Sequence, residues 1–186
     1  MKKEWFRNLL LLTALLLYSF STIEWKEYSN SDFGFKILFP KQSPTLNTVT
    51  LDYEGKPVKL SILSVDCQKD VSSKNFVYMM HFLHYPDGFF EGFNETKYED
   101  YFQSSIQGML NNTPADDVRL ISQKEISVPN CRAREIEFIY NNEEAIVTAR
   151  FILRGNDIFT LLVTTKSRYK SNDDLHKFLN SFKLLN

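Results

Sequence analysis

Few residues in this chain have the types and spacing to do chemistry. His81 and His84 lie three apart, with Asp87 and Glu91 just beyond them. Imidazole and carboxylate are ligands of divalent metals. The apolar run Val77-Tyr78-Met79-Met80 that leads into them reads as a strand, and residues three apart on a strand point to opposite faces. Both imidazoles therefore cannot meet one ion, which leaves His84 with the loop carboxylates as the weaker arrangement. No metal site and no cofactor are expected. His176 falls off the apolar stripe of a final helix and is expected to be exposed.

Cys67 and Cys131 are the two cysteines. Neither belongs to a CxxC pair or has a neighbouring histidine, so zinc-ribbon, thioredoxin-like and local thiol-nucleophile readings fail. In an exported chain a lone pair of cysteines is expected to form a disulfide, provided their Cα atoms come within about 7 Å. No G-x-S-x-G elbow and no HExxH motif occurs. Glu135 and Glu137 alternate with Arg134 and Ile136 on a predicted strand, with Arg150 across the hairpin. Two carboxylates on one strand face could serve acid–base work in a pocket. The commoner outcome is a ladder of Glu–Arg pairs.

The stretch Tyr85-Pro86-Asp87-Gly88-Phe89-Phe90-Glu91-Gly92-Phe93 places four aromatic rings in a loop. Exposed aromatics anchor partners, so Tyr85, Phe89, Phe90 and Phe93 are the candidate partner-binding residues. The competing arrangement folds these rings beneath a helix as core. Asn94-Glu95-Thr96 and Asn111-Asn112-Thr113 match the glycosylation sequon, which matters only in a eukaryotic secretory route.

The elements that must position these residues read as sheet plus two helices. Phe33 to Phe39 is a first strand stopped by Pro40. Val49, Leu51 and Tyr53 alternate with polar residues, as do Val58, Leu60 and Ile62, across a Glu54-Gly55-Lys56-Pro57 turn. Phe76 to His84 is a central strand. Thr96 and Glu99 have the spacing of a capping box, and the helix they open carries Tyr101, Phe102, Ile106 and Met109 at helical spacing. Val118 to Val128, Arg132 to Tyr140, Ala145 to Leu153 and Ile158 to Thr165 follow as strands. Short turns at Asn141-Asn142-Glu143 and Gly155-Asn156 make the last three antiparallel. A final helix capped near Ser171 carries Leu175, Phe178, Leu179 and Phe182. The expected fold class is α+β, an antiparallel sheet flanked by helices.

The first segment reads as an address. Lys2, Lys3 and Arg7 precede the apolar run Leu9 to Leu17, and Ser19 and Ser21 fit a signal-peptidase site. Residues 1–21 are thus a signal peptide and 22–186 one domain. The alternative is an uncleaved anchor, although the run is shorter than the roughly 20 residues that span a bilayer. Cleavage after Ser21 removes Lys2, Lys3, Arg7 and Glu4 and leaves 19 basic against 22 acidic side chains. No basic run appears in that remainder, so nucleic acid is excluded as a partner.

Phe33-Gly34-Phe35-Lys36-Ile37-Leu38-Phe39-Pro40, the meander Ala145 to Thr165 and the ending Phe178-Leu179-Asn180-Ser181-Phe182 resemble the opening strand, closing strands and C-terminal helix of PsbP-like domains. The resemblance covers nearly all of the chain after the signal segment. It implies an α/β/α sandwich, the fold also of a Ran-binding nuclear import factor; PsbP itself is a lumenal accessory protein of photosystem II and neither is a conventional enzyme, although the fold alone does not fix a function. The chain is expected to be an exported, periplasmic or secreted, accessory or binding protein for an unidentified protein or small ligand. A small extracytoplasmic enzyme with a fold-assembled site and a membrane-tethered structural protein are the alternatives.

Overall fold

The computed structural model describes residues 24–53 and 55–185; the expected signal segment lies outside the described residues. Strands β1 (Trp25–Asn30), β2 (Phe35–Pro40), β3 (Thr45–Tyr53), β4 (Lys56–Asp66) and β5 (Asn75–His84) lead to helix α1 (Glu95–Asn111). Strands β6 (Arg119–Glu125), β7 (Arg132–Tyr140), β8 (Ala145–Arg154) and β9 (Asp157–Lys166) then precede helix α2 (Asp173–Ser181) and the short β10 (Lys183–Leu184). Seven strands pair in the order β3-β4-β5-β9-β8-β7-β6, antiparallel throughout, and a separate three-stranded sheet runs β1-β2-β10. The architecture is α+β, as the sequence pattern predicts.

Each face of the large sheet has its own core, because successive strand side chains alternate sides. On one face Leu63, Tyr78, Met80, Phe159 and Leu161 pack against Phe35, Ile37 and Phe39 of the small sheet and against Leu175, Phe178 and Leu179 of α2. On the other, Ile136, Phe138, Val147, Ala149 and Phe151 pack against Phe102 and Ile106 of α1 and against Phe90.

The helix starts differ from the sequence expectation. Asn94, not Thr96, caps α1: its side chain accepts from the Lys97 amide. Glu99 is drawn instead to Arg134 of β7, so no capping box forms. Asn172, not Ser171, caps α2 by accepting from the Leu175 amide. Asn172 also forms a reciprocal amide pair with the fully buried Asn75 of β5, and Asn75 in turn engages the hydroxyls of Tyr78 and Thr165. One cap thereby joins a helix end to the middle of a sheet, with its buried polar atoms satisfied.

Candidate functional site

Helix α1 covers the β7–β8 side of its sheet face and leaves the β4–β5 side open. Arg132 and Arg134 of β7 hold it there. Arg132 forms a two-pronged pair with Glu95 and lies 4.1 Å over the Tyr98 ring, and Arg134 reaches Glu99 at 2.6 Å. Beside the helix runs a groove of about 460 Å³ lined by Leu60, Met79, His81, Leu83, Tyr85, Tyr101, Ser105, Met109, Phe151, Thr160 and Leu162, among others. None of its lining side chains is charged. Toward the sheet edge, Val49 and Leu51 stay 46% and 40% exposed on the same face.

The aromatic loop closes one end of this groove. Phe90 is buried, 8% exposed, within the α1-face core. Tyr85, Phe89 and Phe93 are half-buried. The Tyr85 and Phe89 rings stack at 4.1 Å, and both meet Tyr53 edge-on. Phe90 meets Tyr101 at 5.2 Å. The loop is therefore divided: Phe90 is core, Tyr85 lines the groove, and Phe89 and Phe93 line a neighbouring hollow with Tyr53, Lys56, Pro86 and Asp87. Burial raises the Tyr101 hydroxyl well above its ordinary pKa, and the neighbouring Tyr85 adds to the effect. It remains a neutral phenol at any physiological pH.

His81 and His84 lie on opposite faces. His81 points into the groove, where its Nε2 lies 2.9 Å from Met79 Sδ; burial lowers its pKa and keeps it neutral. His84 is exposed, its Nδ1 2.8 Å from Asp157, which also pairs with Arg154. Asp87 stands 3.9 Å from the His84 ring and Glu91 is exposed. Among the described residues no group of three or more His, Cys, Asp or Glu side chains could hold a metal ion. His176 is exposed beside Ser171.

The expected disulfide is corrected by the strand register. Cys67 and Cys131 are free thiols. Cys67 follows β4 and Cys131 precedes β7, four strand spacings away in the sheet, or roughly 19 Å. The register carried from Asp66 through Val77, Thr164 and Val147 arrives at Phe138, so the two cysteines also sit near opposite ends of their strands. A bond would require rebuilding the sheet. Burial raises the pKa of both thiols.

The Glu135–Arg150 pair faces α2. Glu135 accepts from Arg150 Nε at 2.6 Å and lies 2.7 Å from Lys124, while Arg150 also donates to the Leu179 carbonyl and Asn180 at the end of α2. Burial alone would raise the Glu135 pKa, but Lys124 and Arg150 outweigh it and hold it below its ordinary value. That carboxylate is a fixed anion in a bridge. Glu137 on the same face lies 3.4 Å from Lys170. Sequence reasoning missed the groove, whose residues come from β4, β5, α1, β8 and β9 and share no local spacing.

No family model matches the chain, and no curated protein matches it. Among solved structures, it is similar to the cyanobacterial PsbP, CyanoP, of Synechocystis sp. PCC 6803. The likeness has a TM-score of 0.51 and 13% identity over 89% of this chain and 95% of that one. PA94 of Pseudomonas aeruginosa, a protein of unknown function, aligns with a TM-score of 0.36 and 14% identity over 82% of this chain and 87% of its own. Two sheets with α1 on one side and α2 on the other, aligned along nearly the whole of CyanoP, give this chain a PsbP-like fold.

Proposed function

We propose that the chain works after export as a non-catalytic accessory or binding domain, and that the groove beside α1, extended through the Tyr85–Phe89 stack to the hollow that Phe89 and Phe93 line, is its contact surface. The observation that carries this reading is the groove itself, about 460 Å³, uncharged and bordered by half-buried aromatic rings. Concave, mostly apolar surfaces with a few polar groups are the usual form of a ligand or partner site. Export rests on the basic start, the apolar run and Ser19-Phe20-Ser21. Among the described residues no helix is long and apolar enough to cross a membrane.

The test is affinity capture from the native envelope with the domain beginning at Thr22, comparing wild type with Leu60→Lys, which places a charge on the groove floor, and with Lys26→Glu in the small sheet. A partner retained by wild type and Lys26→Glu but lost by Leu60→Lys supports the reading. Equal capture by all three overturns it. The mass of the exported protein reports separately on cleavage, because a form still beginning at Met1 leaves the chain tethered.

A further inference from the structure

We propose that the groove contains a binding site for a soft monovalent metal ion, Cu(I), with Met79, His81 and Met109 as its ligands. Met79 and His81 are two apart on β5 and so share a face, and both line the groove. Their donor atoms already converge, with Met79 Sδ 2.9 Å from His81 Nε2. Without metal this contact is a hydrogen bond in which His81 Nε2–H donates to the thioether; moving the ring proton to Nδ1, which a neutral imidazole allows, frees a lone pair on each atom for the ion.

Met109 supplies the third donor from above. It lines the same groove, and its level along the sheet follows from the anchor between Tyr101 and Tyr85, whose rings meet at 6.1 Å. His81 lies four residues back from Tyr85, roughly 13 Å along β5. Met109 lies eight residues on from Tyr101, about 12 Å along α1. Because the groove follows α1 on past Met109 to Asn112 and Thr113 while also reaching Met79, Met109 comes level with His81.

The chemistry of this set is selective. Thioether and neutral imidazole are soft, uncharged donors that favour Cu(I), whereas Mg and Ca prefer carboxylate and carbonyl oxygen. A monovalent ion also suits a groove with no carboxylate to offset a second charge. The mature chain has three methionines, Met79, Met80 and Met109. Met80 points to the opposite core, so it is a built-in control. This site does not depend on capture of a partner at the groove.

Free thiols also bind Cu(I), so the experiment uses the Cys67→Ala/Cys131→Ala protein, checked for the wild-type circular dichroism spectrum. Cu(I) is supplied anaerobically in competition with a chromophoric Cu(I) chelator, and Ag(I) is titrated by calorimetry as a redox-inert probe. The expected result is one equivalent bound. Met79→Leu, Met109→Leu and His81→Gln should each weaken it, and Met80→Leu and His84→Gln should leave it unchanged. Loss of a group that merely supports a ligand weakens metal binding about 10–100-fold, so loss of a ligand should cost at least roughly tenfold. Absence of competition with the chelator overturns the proposal. So does binding that the two groove methionine variants leave intact, as does Zn(II) held as tightly as Cu(I).

Discussion

Replacing Phe90 and Phe89 one at a time tests whether the aromatic loop is divided as described. Phe90 is 8% exposed and meets Tyr85, Phe89, Phe93, Tyr98 and Tyr101 with ring centroids 4.5 to 6.0 Å away. Phe90→Ala removes a buried ring from a region tied down on every side, where a cavity cannot collapse fully, and should cost about 3–5 kcal/mol. In a domain of this size each kcal/mol lowers Tm by about 2–4 °C, so the drop should be on the order of 10 °C. Phe89 is half-buried and already shares its surface with solvent. Phe89→Ala loses the stack on Tyr85, worth roughly 0.5–1.5 kcal/mol, and part of an apolar face, for a total of about 1–2 kcal/mol. Thermal unfolding followed by circular dichroism at fixed pH measures both. Phe89→Ala should weaken partner capture at a temperature where it is fully folded, and Phe90→Ala should act chiefly through stability. Equal losses for the two, or a larger one for Phe89→Ala, would refute the division of the loop into a core ring and rim rings.

Other expectations bear on the scaffold. Asn75→Ala and Asn172→Ala should each destabilise by about 2–3 kcal/mol, because each strands buried polar partners; the double variant should cost clearly less than their sum, and strict additivity in urea unfolding would count against a coupled amide pair. Folding lowers the Glu135 pKa, so the ionised bridge adds stability above the unfolded-state value of about 4.3 and loses it as pH falls through the lower folded value. The Tm gap between wild type and Glu135→Gln should thus be present at pH 7 and shrink in acid; a gap that widens below pH 4 contradicts this assignment. Denatured, unreduced protein should titrate with two thiols, and the native protein should react slowly, since burial disfavours both thiolates; zero thiols after denaturation would restore the disulfide.

Local pattern carried the fold well where strands are long and turns are short. Arg132–Tyr140 was legible to the residue, because turns bound it on both sides: Asn130 before it and Asn141, Asn142 and Glu143 after it all take positive φ. Strand β1 was not legible: Trp25–Asn30 is mostly polar and partly exposed, and its strand character comes from pairing with β2. The caps were misplaced by one or two residues because several side chains at each helix start could do the work. Tertiary contacts decided the outcome, Arg134 claiming Glu99 and Asn75 claiming Asn172. The candidate site divides in the same way. The aromatic loop was visible as composition and the Met79–His81 contact is local to β5, whereas the groove needed β4, β5, α1, β8 and β9 to be brought together.

The small sheet has a consequence for how the chain folds. Its middle strand, β2, is flanked by the first described strand on one side and the last on the other, and the Leu38 amide donates to Ser181 across 143 residues of sequence. Contacts this distant in sequence carry a loop-closure cost that must be met before they contribute, and they slow folding. They also cannot form until the C-terminal residues are available. During synthesis the strands of the large sheet can be made before it is covered, but the layer over Phe159 and Leu161 must wait for α2 and β10. Until those elements are in place, the apolar face that Phe159 and Leu161 present stays uncovered.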